Sequence, residues 1–185
     1  MKFRKINKVH FVGIGGIGMS GIAELLLNLG FDVTGSDMYE NTNVSRLKKL
    51  GVNIQIGHDP NQVGNADILV YSSAVPPENP EIIKAKQKGI PVIRRAEMLG
   101  ELISVKETSI GVSGTHGKTT TSSMIGTILA HCKMDPTLVV GGLVQTLGTN
   151  SKLGSGDVIV VEADEFDRSF LALKPTIGII TNIEL

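Results

Sequence analysis

The sequence predicts an α/β fold in which parallel strands are covered by helices. Short apolar segments alternate with helix-compatible segments along most of the 185 residues, and two glycine-rich loops each connect a strand to a helix, near residue 13 and near residue 114. Strands that alternate with helices form parallel sheets. Two separate strand-loop-helix segments indicate two domains, and we place the boundary between residues 106 and 107.

The composition excludes several classes of partner. The chain carries 18 basic and 18 acidic residues without a basic run, so neither nucleic acid nor a membrane surface is an expected partner. No apolar stretch reaches the ~18 residues that a membrane span needs, and no signal-peptide core follows the basic start. We therefore expect a cytoplasmic protein without membrane insertion. Its single cysteine, Cys132, is expected to pack inside the protein on a helix.

The first glycine-rich loop follows an apolar strand at residues 9–12 and precedes a helix at residues 19–29. Its run Gly-Ile-Gly-Gly-Ile-Gly fits the dinucleotide fingerprint. In that pattern the first glycine permits a tight turn, the second lets the backbone approach a pyrophosphate, and the third lets the helix pack closely on the strand. The pattern does not distinguish NAD, FAD and a nucleotide-sugar. The candidate ligand-binding residues of this loop are Gly13, Gly15, Gly16, Ile17 and Gly18.

Four further positions are candidate ligand contacts in the first domain. Asp37 ends the next strand, near the offset of about twenty residues at which a ribose-binding carboxylate is expected, although it could instead cap a helix or form a turn. Ser72 ends a later strand and Ser73 begins the loop after it, where α/β sheets bind ligands. His58 could contact a nucleotide base or only form a turn. The other elements of this Rossmann-like domain are helices at residues 44–50, 79–88 and 96–103 and strands at residues 31–35, 52–56, 67–72 and 91–94.

The second glycine-rich loop has the residues of a nucleoside-triphosphate site. It follows a strand at residues 108–112, and small residues let its backbone N–H groups surround phosphate oxygens. Lys118 would contact the β- and γ-phosphates of ATP, and the Thr119 hydroxyl would bind Mg²⁺. The loop is a variant, because Val112 stands where the usual pattern has glycine. The candidate ATP-binding residues are Gly114, Thr115, His116, Gly117, Lys118, Thr119 and Thr120, and the His116 side chain could equally face solvent.

An acidic cluster follows the next buried strand, residues 157–161. Its first member, Glu162, is the candidate second Mg²⁺ ligand, since clustered carboxylates repel unless a cation or water faces them. A solvated acidic loop is the other interpretation. The candidates for orienting substrate, or only for capping the short helix that follows, are Asp164, Glu165, Asp167 and Arg168.

The rest of the second domain is predicted as a helix at residues 119–131, a strand at residues 137–140 and a glycine-rich loop at residues 141–156. The last segment, residues 176–183, has the pattern of a buried strand. Because a buried parallel strand needs a covering crossover, we expect the chain to be a fragment that contains only the first part of a P-loop ATPase α/β domain.

An ordered set of motifs resembles the Mur ligases of peptidoglycan synthesis. The resemblance covers essentially the whole chain. The motifs are Gly-Ile-Gly-Gly-Ile-Gly (13–18), Gly-Ser-Asp (35–37), Asn-Pro-Glu-Ile (79–82), Arg-Arg-Ala-Glu-Met-Leu (94–99), Gly-Thr-His-Gly-Lys-Thr-Thr (114–120), Glu-Ala-Asp-Glu (162–165) and Thr-Asn-Ile-Glu (181–184).

The resemblance implies a three-domain ligase that joins L-alanine to UDP-N-acetylmuramate through an acyl phosphate. In it the first domain would bind the UDP-sugar, Lys118 and Glu162 would serve catalysis, and Thr119 and Glu162 would hold Mg²⁺ at the ATP site. The family's histidine metal ligand would lie beyond residue 185, so we expect the fragment to bind ligands without catalysing the reaction. A muropeptide ligase of cell-wall recycling is the alternative within the family.

Two other classes of protein remain as alternatives. An NAD-dependent oxidoreductase would use the first glycine loop but leave the second loop and the acidic cluster without a role. A regulatory NTPase would use the second loop and leave the first without one.

Overall fold

The computed structural model describes residues 6–104, 106–144, 149–163 and 169–184. The chain divides after Arg95 into two compact units, each with its own five-stranded sheet. The sequence-based domain boundary after residue 106 stays a prediction, because a division by packing does not define the limits of a domain in the sequence. The predicted residues Asp164, Glu165, Asp167 and Arg168 lie outside the described part of the chain.

The first unit contains an entirely parallel sheet in the order β3-β2-β1-β4-β5. The chain moves from β1 outward to β3 and then returns to the other side of β1, as in Rossmann-like domains. The predicted fold class is confirmed. The elements are β1 (Lys8–Val12), α1 (Ile17–Asn28), β2 (Asp32–Asp37), α2 (Thr42–Lys49), β3 (Asn53–Ile56), a 3-10 helix (Pro60–Val63), β4 (Ile68–Tyr71), α3 (Pro80–Gln87) and β5 (Val92–Arg94). Helix α4 (Arg95–Ile103) follows, and all but its first residue belong to the second unit.

Local sequence signals explain the ends of these helices. The Asn41 side chain accepts a hydrogen bond from the Val44 backbone N–H (3.0 Å) and caps α2, and Asn79 accepts from the Glu81 N–H (2.9 Å) and caps α3. Gly51 follows α2 with a φ of 95°, a conformation that favours glycine. Apolar residues of the strands and helices then form the core under α3, which includes Val12, Val63, Leu69, Ile82 and Ala85.

The second unit has the strand order β10-β6-β9-β7-β8, parallel except for the antiparallel pair β7 and β8. A core beneath α5 contains Ile110, Val112, Leu138, Val158 and Val160. No helix in the described ranges is long and apolar enough to cross a bilayer. The elements are β6 (Thr108–Ser113), α5 (Lys118–His131), β7 (Thr137–Val144), β8 (Thr149–Lys152), β9 (Val158–Glu162), a 3-10 helix (Ser169–Ala172) and β10 (Ile177–Ile180).

Three predictions for the second unit are wrong. The predicted loop at residues 141–156 contains the end of β7 and all of β8, because an edge strand that pairs on one side needs no apolar run. The predicted buried strand at residues 176–183 is shorter, and its Ile177 and Ile180 side chains are 48% and 65% exposed at the sheet edge. Cys132 follows the last turn of α5 and is exposed, so its predicted packing inside the protein does not occur.

Candidate functional site

The first glycine loop is anchored on the neighbouring strand. The backbone N–H groups of Gly13 and Ile14 donate to the Ser36 carbonyl at 2.9 and 3.0 Å, and Gly13 has a φ of 79° that suits glycine. Helix α1 begins at Ile17, two residues earlier than predicted, and no side chain caps its N-terminus at Gly16. The loop therefore presents a helix N-terminus at the carboxyl edge of the sheet, where anions bind favourably.

Asp37 contacts the glycine loop directly. Its Oδ2 accepts from the Gly15 N–H at 2.7 Å, and its Oδ1 accepts from the Tyr39 N–H at 3.3 Å. A Cβ at Gly15 would lie 2.6 Å from Asn41 Nδ2 and 2.8 Å from Val44 Cγ2. In this structure Gly15 thus permits close packing of the chain that follows β2, a reason that the fingerprint did not supply. The ribose contact of Asp37 stays a prediction.

The structure also gives Gly18 a packing role that differs from the one in the fingerprint. The fingerprint predicts that Gly18, inside α1, lets the helix pack closely on a strand. In the structure the three atoms nearest to a Cβ at Gly18 all belong to the Arg95 side chain, with Nη1 at 2.8 Å.

The loop after β4 lies against the loop after β1. The Ser72 N–H donates to the Val12 carbonyl at 3.2 Å, and a Cβ at Gly13 would lie 3.3 Å from Ser72 Cβ and 3.2 Å from Val75 Cγ2. The two strands are neighbours from which the chain leaves in opposite directions, and α/β proteins bind ligands at such a switch point. The structure thus brings the glycine loop and Ser72 together at one edge, and Ser73 is the next residue of the same loop.

A buried polar cluster that the sequence analysis missed lies beneath this edge. The carboxylate of Glu81, which is fully buried, contacts His10 Nε2 at 2.6 Å, Ser36 Oγ at 3.0 Å and His58 Nδ1 at 2.8 Å. His10 Nδ1 lies 2.9 Å from Thr34 Oγ1. A histidine inside the apolar run of β1 was the signal for this cluster, since a buried polar side chain needs partners.

The second glycine loop connects β6 to α5 and holds its own lysine. Gly114 has a φ of 134°, and Gly117 has a φ of 82° at the N-terminus of α5. Lys118 Nζ donates to the Gly114 carbonyl at 2.6 Å and lies 3.4 Å from the Thr115 carbonyl oxygen. The loop therefore curls around the lysine as a phosphate loop does, with Thr119 half-buried in the first helical turn and Thr120 exposed.

Residues after β10 fix the conformation of the second loop. The His116 N–H donates to Asn182 Oδ1 at 3.1 Å, and the His116 carbonyl accepts from Asn182 Nδ2 at 3.1 Å and from Thr181 Oγ1 at 2.6 Å. The His116 imidazole is exposed, with Nε2 3.5 Å from Glu184 Oε1. The sequence analysis used Thr-Asn-Ile-Glu only as a family motif and missed this role.

Glu162 lies beside the second loop. It ends β9 and pairs in register with Val112 of β6, two residues before Gly114, and it is 9% exposed. Its carboxylate and the Thr119 hydroxyl are hard oxygen donors of the kind that Mg²⁺ prefers. The described residues contain no group of three or more metal-binding side chains, and Mg²⁺ needs none where ATP oxygens and water complete the shell. These residues fit Mg²⁺, and their roles as ligands stay predictions.

A cavity of about 490 Å³ adjoins the second loop. Its walls come from β6, from the loop itself and from the segment that contains β10. Most of the lining is apolar, with polar groups at the loop end. The residues that line it include Ser113, Gly114, Thr115, Ala163, Ile179 and Asn182.

Two family models match adjoining parts of the chain. The model for the Mur ligase family, catalytic domain, matches residues 8–107, and the model for the Mur ligase middle domain matches residues 112–185. The chain belongs to the Mur ligase family. The resemblance inferred from the motifs is confirmed, and both glycine loops fall within matched segments of this family.

Curated Mur ligases are highly similar to the chain. It is 58% identical over 181 residues to the UDP-N-acetylmuramate–L-alanine ligase of Persephonella marina and 56% identical over 180 residues to that of Aquifex aeolicus. These alignments cover 98% and 97% of the chain and 39% of each relative. The chain thus spans about two fifths of the length of these relatives.

Solved Mur ligase structures have the same fold. A UDP-N-acetylmuramate-alanine ligase from Thermotoga maritima superposes with a TM-score of 0.87 at 36% identity, covering 95% of this chain and 41% of that one. The UDP-N-acetylmuramate:L-alanyl-gamma-D-glutamyl-meso-diaminopimelate ligase from Neisseria meningitides superposes with a TM-score of 0.88 at 27% identity, covering 97% and 61%. The backbone therefore does not separate these two kinds of Mur ligase.

Proposed function

We propose that the chain is the UDP-sugar-binding and ATP-binding part of a ligase that joins L-alanine to UDP-N-acetylmuramate in peptidoglycan synthesis. The observation that carries the proposal is the register of β6 with β9, in which Glu162 pairs with Val112, two residues before Gly114 of the second glycine loop. The chain has a higher sequence identity to the alanine ligases than to the muropeptide ligase, which favours L-alanine as the amino acid.

In the proposed reaction the muramoyl carboxylate attacks the γ-phosphorus of ATP, and ADP leaves. The amine of L-alanine then attacks the acyl carbon, phosphate leaves with the bonding electrons, and the nitrogen loses a proton to give the amide. Lys118 would neutralise charge on the transferred phosphoryl group, while the backbone N–H groups of residues 114–120 orient the phosphates. Bound Mg²⁺, held by Thr119 and Glu162, would supply further charge neutralisation.

The first unit would bind the UDP-sugar at the switch point. The N-terminus of α1 faces this edge, and Asp37, Ser72 and Ser73 provide polar groups for the nucleotide. Because ATP and UDP-sugars are metabolites of the cytoplasm, we place the protein there.

Titration calorimetry of this chain with UDP-N-acetylmuramate and, in parallel, with NAD tests the proposal. We expect saturable binding of the UDP-sugar and none of NAD. Binding of NAD alone would support an oxidoreductase and overturn the ligase assignment.

The choice of amino acid needs a full-length protein that carries this chain. There, phosphate release from ATP should require UDP-N-acetylmuramate and L-alanine together. Release with L-alanyl-γ-D-glutamyl-meso-diaminopimelate in place of L-alanine would identify a muropeptide ligase instead.

A further inference from the structure

The fully buried carboxylate of Glu81 gathers three side chains from three different strands or strand ends. His10 of β1 and Ser36 of β2 contact Oε2, at 2.6 and 3.0 Å, while His58, two residues after β3, contacts Oε1 at 2.8 Å. Glu81 lies in the first turn of α3, where the helix dipole favours a negative charge. Burial of a carboxylate is unfavourable without such partners, so the cluster has a defined geometry.

For an ionised Glu81 and a neutral His58, the hydrogen-bond partners fix the positions of the protons. An ionised carboxylate only accepts, so each partner directs a proton toward Glu81. Ser36 has a single hydroxyl proton and donates it to Glu81, and its Oγ is therefore an acceptor for His58 Nδ1 at 3.0 Å. Both partners of His58 Nδ1 thus require a proton on that nitrogen. A neutral imidazole has one N–H, so Nε2 of His58 carries the lone pair.

The same cluster is connected to the first glycine loop. The Ser36 carbonyl accepts the N–H groups of Gly13 and Ile14, and the Gly57 N–H donates to the Asp37 carbonyl at 2.8 Å, which holds the residue before His58 beside Asp37. The side chain of His58 is 13% exposed, and its hydrogen bonds within the described part of the chain all use Nδ1. Nε2 is therefore the ring nitrogen that remains to form a hydrogen bond with a ligand.

We infer that Glu81 is a positioning residue that holds His58 in its Nδ1–H tautomer, so that Nε2 accepts a hydrogen bond from the nucleoside half of the bound UDP-sugar. This inference rests on the proposed function of the first unit. The diphosphate of a UDP-sugar offers only acceptors, whereas the uracil imide and the ribose hydroxyls offer the donors that an imidazole lone pair needs.

Glu81→Gln tests the inference because it keeps the shape of the side chain and reverses one hydrogen bond. The amide nitrogen takes the place of Oε1 and directs a proton at His58 Nδ1, which must then accept. His58 then changes to the Nε2–H tautomer, so that its Nε2–H donor faces the N–H or O–H donor of the nucleoside. We expect UDP affinity, measured by calorimetry, to fall about tenfold or more, the effect of one lost hydrogen bond between buried groups.

The matched control is Glu78→Gln, which removes the same charge from an exposed glutamate three residues earlier and should leave UDP affinity unchanged. In His58→Ala, adding Glu81→Gln should cause no further loss of affinity, because the two residues act through one hydrogen bond. A further loss of affinity in the double variant would overturn the inference. CDP in place of UDP separates the two donors, since cytosine lacks the imide N–H.

Histidine ¹⁵N NMR of the unaltered chain at about pH 8, where ordinary histidines are neutral, reads the tautomer without any ligand. A proton on Nδ1 of His58 that moves to Nε2 in Glu81→Gln is the expected result. A proton on Nε2 of His58 in the unaltered chain would overturn the positioning role. Failure of the unaltered chain to bind UDP would instead overturn the proposed function, whatever the tautomer.

Discussion

Replacing Gly15 with serine should destabilise the first unit strongly. A Cβ at this position would lie 2.6 Å from Asn41 Nδ2, 2.8 Å from Val44 Cγ2 and 2.9 Å from Asp37 Oδ2. None of these atoms can move freely, because Asn41 caps α2, Val44 is fully buried and Asp37 binds the Gly15 N–H. Overpacking typically costs about 1–3 kcal/mol and loss of a cap about 1 kcal/mol, so we expect a loss of about 2–4 kcal/mol in the free energy of unfolding.

The matched control is the same substitution one residue later. A Cβ at Gly16 would meet nothing closer than the Gly13 carbonyl oxygen at 3.5 Å, and serine is favoured at this helix N-cap position. Gly16→Ser should therefore be neutral or slightly stabilising.

Tyrosine fluorescence measures the first unit selectively, since the chain has no tryptophan and its two tyrosines are Tyr39 and Tyr71. The Tm of Gly15→Ser should fall by at least about 8 °C, on the basis of roughly 4–8 °C per kcal/mol for a domain of this size. Equal Tm values for the two variants would refute the packing argument.

Three further predictions concern the second unit. The pKa of Asp135 is lowered to about 2, above all by the hydrogen bond from the Ser155 backbone N–H. Asp135→Asn should therefore reduce the free energy of unfolding above pH 3.8, and the difference between the variant and the unaltered chain should vanish as the pH falls through about 2. Urea unfolding across this pH range tests the prediction. Lys118→Met should weaken ATP binding about tenfold or more in calorimetry, because a charge-assisted hydrogen bond is lost, and unchanged affinity would contradict a phosphate role. Asn182→Ala should accelerate hydrogen exchange of the His116 amide, whose acceptor it removes, and an unaltered rate would show that Asn182 does not hold the loop.

The sequence predicted the features that depend on local pattern. Alternating apolar strands and helices predicted the parallel sheet of the first unit and the parallel strands of the second. The glycine loops lie at the strand-to-helix turns where the motifs predicted them. The pairing of β7 with β8 was missed because Thr149–Lys152 is polar and lacks the apolar alternation by which strands are recognised.

The buried cluster was missed for a similar reason. Charged and polar residues are usually exposed, so nothing in the sequence near Glu81 indicates that His10 and Ser36 lie against it; they are distant in sequence and meet only when β1, β2 and α3 pack together. The exposure of Cys132 was missed because cysteine side chains are usually buried, whereas this one follows the last residue of α5 and is exposed.

The strand order of the second unit has a consequence for its synthesis. β6 lies between β9 and β10, so Thr108 pairs with Val158 and Ile110 with Ile177, whereas the sheet of the first unit is complete at Arg94. On the ribosome the first unit can close while the second is still growing. The apolar strand β6 then remains unpaired until β9 and β10, which flank it in the sheet, have emerged. In that interval the nascent chain exposes an unpaired hydrophobic strand, the kind of segment that chaperones bind and that aggregates when they are absent.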